Sequence, residues 1–538
     1  MLEVIRLNSS KHPKPESLEF SYGTAGFRML AKNLDSVVFR VGLLASLRSK
    51  ALNGKTIGIM ITASHNPPED NGVKLVDPMG EMLDQNWEVH ATALSNCNNV
   101  EELCNCLEQI ISFFKIDLTT CSKIVIARDS RESGLKLLES TIDGLKSFNT
   151  EYQDFGLLTT PQLHYIVRCS NDISFGELSE NGYYKKLSNS FNNIFHYENE
   201  NENGKENSTK ICVTIDAANG IGADKIVKLR SYLSEYVQLE LVNDKFMEPQ
   251  LLNVLCGADF VKTNQKLPNG INSFNLNTLF CSFDGDADRI VFYYVDSDKV
   301  FKLLDGDKIA TLFAFFFKKM LAFLELDVSI GIIQTAYANG SSTTYIEDNL
   351  QIPVIFTPTG VKHLHHKALD YDVGIYFEAN GHGTVLFSQN FIKSVTNYQS
   401  NNIEKKRSIN ILKEIVNLIN QTVGDAISDL LAVLVILNFF KFKPSDWDSN
   451  YKDLPNKLLK VIVKDRTIFK TTNAERSLVE PKFLQSKIDQ LVKSYNKSRS
   501  FVRASGTENA VRVYAEAQDP KSCDELADKV SALVQEYS

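Results

Sequence analysis

The sequence predicts an α/β protein of several domains that ends in a small α+β domain. Its 538 residues correspond to three or four domains at about 100–200 residues each. Short apolar runs rich in Val and Ile recur, often followed by a turn and a helical pattern, which is typical of strands buried on both faces in α/β layers. From about Asp446 onwards, strand-like and helix-like segments alternate as in a compact α+β domain.

The predicted elements follow from these runs. Six buried strands are expected at residues 57–61, 124–127, 211–215, 279–283, 328–333 and 373–377. In the C-terminal segment, strands are expected at 459–463 and 510–517, and helices at 482–495 and 520–536. The predicted domains are three α/β domains and one α+β domain, at residues 1–172, 173–299, 300–440 and 441–538.

Two polar stretches interrupt the pattern. Residues 197–210 are charged and without periodicity, so we predict a disordered surface insertion there, and residues 397–407 are predicted to form a loop. Two long apolar stretches were compared with the roughly 20 residues that a membrane span needs. Residues 309–333 contain four charged side chains and residues 430–440 are too few, so both are interpreted as buried helices.

Composition and charge narrow the possible partners. Fifty-eight Lys and Arg against sixty-six Asp and Glu give a net charge of −8, the wrong sign for a protein that mainly binds nucleic acid. The nine cysteines are scattered, which favours buried reduced thiols in a cytoplasmic protein. The first twenty residues lack an apolar core of the secretory type. We expect a cytoplasmic protein with a small-molecule partner, no nucleic acid, no membrane, and a monomeric or weakly dimeric state.

A serine follows the first predicted strand, in the sequence Thr-Ala-Ser-His-Asn-Pro-Pro at residues 62–68. Asn-Pro-Pro prevents an immediate helix, so the turn should expose the Ser64 hydroxyl. His65 and Lys74 are near enough in sequence to exchange protons with it. From these residues alone, an ordinary strand-terminal turn remains an alternative, and the lack of a G-x-S-x-G sequence gives an acyl-transfer hydrolase little support.

Three alternating carboxylates, Asp284, Asp286 and Asp288, follow the strand predicted at 279–283. Like charges this close repel one another unless a cation neutralises them, which indicates a hard divalent metal with oxygen ligands. The register excludes an EF-hand, because Arg289 occupies the position where that loop needs Gly. Two or three protein carboxylates suit Mg²⁺, which keeps positions for water or a phosphate oxygen. A solvated acidic turn is the alternative.

Two further loops carry polar side chains suited to a phosphosugar. The sequence Arg-Ala-Ser-Gly-Thr at 503–507, with Arg512, offers hydroxyls, backbone N–H groups and two guanidinium groups for a tetrahedral dianion. The sequence Glu-Ala-Asn-Gly-His-Gly at 378–383 offers Glu and Asn for neighbouring hydroxyls, and His382 as an acid or base. Near the start, Thr24 and Arg28 lie in a loop of small residues. Taken together, these parts suit phosphoryl transfer.

The order of these motifs resembles the α-D-phosphohexomutase superfamily. TASHNP, DGDADR, FEANGHG and RASGT occur in the order of that superfamily, and further stretches resemble its phosphoacetylglucosamine mutase branch. Those stretches are YGTAGFR, GLLTTPQLHY, DAANGIGA, CGADFVKTNQK, QTAYANGSS and PTGVKHLHHKA. The resemblance implies a heart-shaped protein, with three α/β domains of mixed sheets and a C-terminal α+β domain around a central cleft.

The resemblance also implies an activity and roles for named residues. An isomerase of this kind interconverts N-acetylglucosamine 6-phosphate and N-acetylglucosamine 1-phosphate, through a phosphoserine and a 1,6-bisphosphate, for UDP-N-acetylglucosamine biosynthesis. Ser64 would carry the phosphoryl group, and Mg²⁺ would bind Asp284, Asp286, Asp288 and a phosphate oxygen on Ser64. The remaining implied roles are proton or charge handling for His65, Lys74, His382 and Arg289, sugar binding for Glu378, Ala379 and Asn380, and phosphate binding for Arg503, Ala504, Ser505, Gly506, Thr507 and Arg512.

Two departures and two alternatives accompany this resemblance. Ala504 occupies a position where the superfamily usually has Pro, and the 197–210 insertion is outside its pattern. A haloacid-dehalogenase-like phosphatase would use Asp284 as nucleophile and Asp286 as acid, although Asp288 does not fit that pattern. A phosphosugar-binding protein without turnover would bind the ligand and show no isomerisation.

Overall fold

The computed structural model describes residues 2–199, 210–233, 236–505 and 509–538. The chain forms two compact units, one of Met1–Leu303 with Asn410–Val435 and the other of Leu304–Ile409 with Ile436–Ser538. Helices alternate with strands in mixed sheets, so the predicted α/β class is confirmed. The predicted insertion at 197–210 lies mostly outside the described residues.

The first sheet has five strands in the order β1-β3-β2-β4-β5. The strands are β1 (Phe27–Leu30), β2 (Thr56–Ile61), β3 (Asp70–Val76), β4 (Lys123–Arg128) and β5 (Glu151–Leu157). The helices of this region are α1 (Leu2–Ser9), α2 (Asp35–Ala51), α3 (Gln85–Asn96), α4 (Val100–Phe113), α5 (Gly134–Lys146), α6 (Thr160–Asn171) and α7 (Glu180–Asn199). Strands β2, β4 and β5 are parallel, and β3 runs antiparallel between β1 and β2.

The second sheet has the order β10-β9-β8-β6-β7. Its strands are β6 (Ile211–Asp216), β7 (Val237–Val242), β8 (Phe280–Phe283), β9 (Ile290–Val295) and β10 (Phe301–Leu304), with helices α8 (Gly222–Leu229) and α9 (Ala258–Asn264). Every residue of β8 and β9 is buried, as expected for an apolar strand covered on both faces. The acidic loop joins these two strands, so its position is fixed by a buried antiparallel pair.

The second unit contains a four-stranded sheet, a three-stranded sheet and a two-stranded hairpin, ordered β12-β11-β13-β14, β15-β19-β18 and β16-β17. The four-stranded sheet and its neighbouring helices consist of α10 (Gly306–Leu324), β11 (Ile330–Gln334), α11 (Gly340–Thr344), β12 (Val354–Phe356), α12 (Val361–Ala368), β13 (Val373–Phe377), β14 (Gly383–Phe387) and α13 (Gln389–Thr396). Helices α14 (Ile403–Leu418) and α15 (Ala426–Phe440) belong mostly to the 410–435 segment of the first unit. The remaining elements of the second unit are α16 (Pro444–Asp448), β15 (Asn456–Ile462), β16 (Lys470–Thr472), β17 (Ser477–Glu480), α17 (Leu484–Val492), β18 (Arg499–Ala504), β19 (Ala510–Glu516) and α18 (Pro520–Glu536).

Most predicted elements are present, and three predictions need correction. The apolar stretch 309–333 is not one helix: α10 ends at Leu324, Glu325 adopts a left-handed conformation, and β11 begins at Ile330. The loop predicted at 397–407 gives way to α14 at Ile403. Cys121 and Cys212 are exposed rather than buried. No helix within the described ranges is long and apolar enough to span a membrane.

A buried histidine fixes the N-terminal segment. His12 Nδ1 lies 2.9 Å from Asp35 Oδ2, at the start of α2, and His12 Nε2 lies 3.4 Å from Asp143 Oδ2 on α5. The ring also stacks on Phe39, with 4.9 Å between centroids. Burial alone would lower the pKa of His12, but the hydrogen bonds and charges of the two carboxylates outweigh it and raise the pKa above 6.5. The charged imidazole therefore stabilises the attachment of this segment.

This arrangement predicts a pH-dependent stability. The charged form contributes stability below about pH 6.5, the usual pKa of an unfolded His, and the contribution is lost as the pH rises through the raised pKa. In an NMR titration, the resonance that disappears in His12→Gln should titrate above 6.5. His90→Gln is the matched control, because burial lowers the pKa of His90. A His12 resonance that titrates at or below 6.5 would contradict this account.

Candidate functional site

Ser64 lies at the C-terminal end of β2, on the turn that the sequence predicts. Its φ of 54° is in the left-handed region, an unusual conformation for a residue with a side chain, which costs roughly 1–3 kcal/mol and is found at functional sites. The residue is fully buried within its unit, so the predicted exposure of the hydroxyl is wrong for this structure. The Ser64 N–H donates to Thr62 Oγ1 at 3.0 Å, which holds the turn from within.

A buried arginine fixes the rest of this turn. The Arg131 guanidinium donates to the carbonyl oxygens of Ser64 and Asn66, at 3.0 and 2.9 Å, and to those of Pro67 and Asp70. Its charge is balanced by Asp129, 3.0 Å from Arg131 Nε, and Asp129 also accepts from Thr62 at 2.7 Å. One side chain thus satisfies four carbonyl groups that a tight turn would otherwise leave unpaired.

The segment between β7 and α9 supplies another contact to the same turn. Asn253 Nδ2 donates to the carbonyl oxygens of Ser64 and Asn66, at 2.9 and 3.0 Å. Gly285, within the acidic loop, approaches so closely that a Cβ there would lie 2.6 Å from the Ser64 carbonyl oxygen. A larger residue at 285 would separate the serine turn from the acidic loop.

The acidic loop brings the three predicted carboxylates to the serine. One ligand oxygen from each of Asp284, Asp286 and Asp288 lies within 4.8 Å of the others, and all three residues are buried. Ser64 Oγ donates to Asp284 Oδ2 at 2.5 Å, although 220 residues separate the two in sequence. The other oxygen of Asp284 accepts from the N–H groups of Asp288 and Arg289. The Ser64 hydroxyl and the acidic triplet therefore lie at the same site.

Lys74 and Thr160 contact the triplet from the first sheet's side. Lys74 Nζ on β3 lies 3.5 Å from Asp286 Oδ2 and 3.3 Å from Asp288 Oδ2. Thr160, the first residue of α6, donates from its hydroxyl to Asp286 Oδ2 at 2.5 Å and from its N–H to the Asp286 carbonyl at 3.2 Å. The start of α6 is fixed by a capping box between Thr159 and Gln162, which places these donors at the positive end of a helix.

The donors and charges fit a divalent cation. Burial, followed by the charges of Asp288 and Asp286, raises the pKa of Asp284 well above its usual range. Asp286 Oδ1 is inaccessible to solvent and accepts no hydrogen bond from the described residues. A buried carboxylate oxygen without a partner is costly unless an ion occupies its lone pairs. All of the triplet's ligands are oxygens, which suits Mg²⁺.

The neighbouring cationic groups determine the state of His65. Burial, and then the positive charges of Arg289 and Arg28, lower the pKa of His65 to about 2. The ring is therefore neutral at physiological pH. Arg289 Nε lies 3.8 Å from both Asp284 Oδ2 and Asp288 Oδ1. Burial and the charge of Arg289 also lower the pKa of Arg28. Thr24 is exposed on the preceding turn.

The predicted sugar loop lies in the second unit, between β13 and β14. Glu378, Ala379 and Asn380 are half-buried, and His382 is buried. The loop is closed by the Glu378 N–H, which donates to the His382 carbonyl at 2.9 Å, and by the His382 N–H, which donates to Asn380 Oδ1 at 3.0 Å. Gly381 has a φ of 86°, which the turn requires. The Glu and Asn side chains are held next to each other at a strand end.

The predicted phosphate loop also belongs to the second unit, between β18 and β19. Arg503 and Arg512 are paired in the antiparallel register, and the Ser505 N–H donates to the Ala510 carbonyl at 2.8 Å, next to half-buried Ala504. Arg503 Nε donates to Glu475 Oε1 at 2.8 Å. Burial alone would lower the pKa of Arg503, but Glu475 outweighs it and raises the pKa. Gly506 and Thr507 lie outside the described residues.

Sequence reasoning missed several residues of these sites. Thr160, Arg131, Asn253 and Glu475 act through hydrogen bonds to residues distant in sequence, so no local spacing identified them. Thr160 had one usable signal, since the Thr-Thr-Pro-Gln sequence at 159–162 is typical of a helix start, and Thr159 is the N-cap of α6. Ser64, Lys74 and the acidic triplet, which the sequence singled out, lie together in the first unit.

Comparison with family models covers most of the chain. Models described as phosphoacetylglucosamine mutase AMG1, domains II and III, match residues 176–291 and 305–442. Models described as phosphoglucomutase/phosphomannomutase match residues 44–99 and 92–175 as the alpha/beta/alpha domain I, and residues 458–533 as the C-terminal domain.

Named relatives and solved structures agree with these models. The phosphoacetylglucosamine mutases of Candida albicans and Homo sapiens are 56% and 49% identical to the chain and cover 97% and 99% of it, with 97% of each relative matched. A crystal structure of N-acetylglucosamine-phosphate mutase in the substrate complex has a TM-score of 0.95 at 55% identity, covering 99% of this chain and 100% of that one. The Aspergillus fumigatus enzyme in complex with GlcNAc-6P and magnesium has a TM-score of 0.93 at 46% identity, covering 100% and 99%. The chain belongs to the phosphoacetylglucosamine mutase family, within the α-D-phosphohexomutase superfamily.

Proposed function

We propose that the chain is a phosphoacetylglucosamine mutase that interconverts N-acetylglucosamine 6-phosphate and N-acetylglucosamine 1-phosphate. The reaction passes through a phosphoserine at Ser64 and a 1,6-bisphosphate, and its product serves UDP-N-acetylglucosamine biosynthesis. The observation that carries this proposal is the 2.5 Å hydrogen bond between Ser64 Oγ and Asp284 Oδ2, which joins the acceptor oxygen to the acidic triplet. Solved relatives at 55% identity are in substrate and product complexes.

The chemistry consists of two phosphoryl transfers in opposite directions. In the first, the free hydroxyl oxygen of the sugar phosphate attacks the phosphorus on Ser64, the new P–O bond forms, and the P–Oγ bond breaks. The hydroxyl gives up its proton, and Ser64 Oγ regains one. In the second, Ser64 Oγ loses its proton and attacks the other phosphorus of the bisphosphate. The bond from that phosphorus to the sugar oxygen breaks, the oxygen gains a proton, and the isomer is released. A serine-to-alanine variant of the Aspergillus fumigatus enzyme was solved with glucose 1,6-bisphosphate, which supports this intermediate.

Mg²⁺ is the proposed cofactor, held by Asp284, Asp286, Asp288 and a phosphate oxygen on Ser64. When bound, the ion neutralises the charge of the transferring phosphate. The chain's own groups add to this: the Lys74 ammonium lies 3.3 Å from Asp288 Oδ2, and the Arg289 N–H donates to Asp284 at 3.2 Å. Lys74 is the proposed proton-handling group near Ser64. Neutral His65 keeps one N–H and is proposed to accept a hydrogen bond at its other ring nitrogen, because burial and the charges of Arg289 and Arg28 lower its pKa and disfavour a second proton.

The loops of the second unit are proposed to bind the sugar ring and the distal phosphate of the substrate. Glu378, Ala379 and Asn380 contact the sugar hydroxyls, with His382 supporting that loop as a further acid or base. The distal phosphate is bound by Arg503–Thr507 and Arg512, and the phosphate nearer Ser64 by Thr24, Arg28 and Arg289. The substrate must bind in both orientations. The residues that bind the distal phosphate must therefore recognise the phosphate group and not the sugar ring.

A four-domain division is part of the proposal, with boundaries at 172, 299 and 440. The family-model matches, which end at residues 175, 291, 442 and 533, support it. A cytoplasmic location and a monomeric or weakly dimeric state stay predictions.

Replacing Ser64 tests the proposed function. Ser64→Ala should abolish mutase turnover, because the phosphoryl acceptor is lost. Binding of N-acetylglucosamine 6-phosphate should persist, since it depends on the remote loops. A coupled assay measures turnover, and calorimetry measures binding. Arg6→Ala is a control on the exposed surface, where Arg6 pairs with Glu101, and it should keep full activity. Turnover in Ser64→Ala comparable to that of the unaltered chain would refute the assignment.

Replacing Thr160 tests the metal site. Thr160→Val keeps the shape of the side chain and removes the donor to Asp286, so we expect about 10–100-fold weaker Mg²⁺ binding. Competition with Mn²⁺, followed by electron paramagnetic resonance, gives the affinity without turnover. Thr160→Ser keeps the hydroxyl and should restore affinity. Equal affinities for Thr160→Val and the unaltered chain would show that Thr160 does not position Asp286.

A further inference from the structure

A pocket in the second unit is lined by residues other than those of the two loops discussed above, although its Arg476 directly follows Glu475, the partner of Arg503. It is a cavity of about 760 Å³ between the helical turns that start at Gly340, strand β12, the segment after α16, the β16–β17 turn and the start of β18. This volume is within the roughly 300–1,000 Å³ of small-molecule sites. Neither the loop that begins at Glu378 nor Arg503 and Arg512 are among its lining residues.

The lining carries more positive than negative charge. Four lining side chains are cationic (Lys452, Arg476, Lys497 and Arg499) and two are anionic (Glu347 and Glu516). The excess of two positive charges would balance the two negative charges of a phosphate monoester dianion. Apolar and aromatic groups, including Tyr345, Val354 and Phe356, form the remaining wall, which gives room for an organic group beside the charge.

One ion pair of the lining is already saturated. Arg499 binds Glu516 through two N–H groups, each at 3.1 Å, and binds the carbonyl oxygens of Ala336 and Ala338. Glu516 also accepts from the Tyr514 hydroxyl at 2.8 Å. This pair therefore forms a fixed, neutral base of the pocket. The remaining charges are those of Arg476 and the two exposed lysines, which exceed the single negative charge of Glu347 by two.

Arg476 is placed to bind an anion. Its guanidinium carbon lies 4.1 Å from the centre of the Phe356 ring, so the group lies over the ring face. None of the residues that the structure describes accepts a hydrogen bond from this guanidinium or forms an ion pair with it. A guanidinium stacked on an aromatic ring keeps its edge donors in one plane, the geometry for bidentate binding of phosphate.

The electrostatic environment of Arg476 also favours the binding of an anion. Burial, and then the positive charge of Arg499, lower the pKa of Arg476, while Glu347 acts in the opposite direction. Because Glu516 already neutralises Arg499, an added anion would stabilise the half-buried Arg476 itself. The exposed Lys452 and Lys497 would attract such an anion at the mouth of the pocket.

We propose that this pocket binds a small organic phosphate monoester at Arg476, Lys452 and Lys497. The site is separate from the proposed mutase loops and does not depend on the mutase reaction. The phosphate accepts two hydrogen bonds from the edge of the Arg476 guanidinium, and the organic group lies against the wall formed by Tyr345 and Val354.

The test uses the full chain and inorganic phosphate as the probe. Equilibrium dialysis of radiolabelled phosphate should show that Arg476→Ala weakens one binding event by about tenfold or more, as expected for a lost charged bidentate contact. Arg476→Lys should bind with intermediate affinity, since it keeps the charge and loses the planar edge. Lys493→Ala is the matched control, because it removes an exposed positive charge that does not line the pocket; it should leave phosphate binding unchanged.

Three further arms locate and identify the site. Unchanged mutase activity in Arg476→Ala shows that the variant is folded, and crystals soaked in phosphate should show the anion at Arg476. In Arg503→Ala the Arg476-dependent event should persist. Phosphate binding that is equal in Arg476→Ala and the unaltered chain would overturn the proposal, as would loss of the Arg476-dependent event in Arg503→Ala. Stronger displacement by malonate than by phosphate would assign the pocket to carboxylates and overturn the phosphate class.

Discussion

Three carboxylates buried at one point dominate the first unit. Asp284, Asp286 and Asp288 present oxygens within 4.8 Å of one another in a place that excludes water. Repulsion of this kind is tolerated only where positive charge and hydrogen-bond donors surround the group. Lys74 and Arg289 supply the charge, and the hydroxyls of Ser64 and Thr160 supply donors. Two cationic side chains against three carboxylates still leave one negative charge, and Asp286 Oδ1 accepts no hydrogen bond from the described residues. A divalent ion would balance that charge and occupy that oxygen.

The scaffold brings the hydroxyl to this point by fixing backbone carbonyls. Ser64 adopts a left-handed conformation, and its carbonyl oxygen accepts from both Arg131 and Asn253. These two donors lie in different loops, Arg131 between β4 and α5 and Asn253 between β7 and α9. Because Gly285 has no side chain, the acidic loop approaches within contact of the same carbonyl. The alignment of the Ser64 hydroxyl with the acidic triplet thus depends on Arg131, Asn253 and Gly285, which contact the Ser64 backbone.

The sequence predicted those features that short segments encode. Strands such as 57–61 and 373–377 were recognisable because buried strands are continuous apolar runs. The three alternating Asp residues indicated a cation site because their negative charges repel one another at such short spacing. The stretch 309–333 was interpreted as a helix although its last residues, 328–333, were also predicted as a strand, because an apolar run does not distinguish a buried helix from a following strand. Thr160 and Arg131 were missed because their partners are distant in sequence, and the exposure of Ser64 was misjudged because the acidic loop that covers it arrives from another sheet.

The chemical form of the phosphorylated chain tests the central claim most directly. After incubation with N-acetylglucosamine 1,6-bisphosphate labelled with ³²P, the chain would be digested and the labelled peptide sequenced by mass spectrometry. If Ser64 is the acceptor held at the acidic triplet, the label lies on the peptide that contains Ser64 and withstands hydroxylamine, as a phosphate ester does. A label on the peptide that contains Asp284, lost in hydroxylamine, would identify an acyl phosphate and contradict the account.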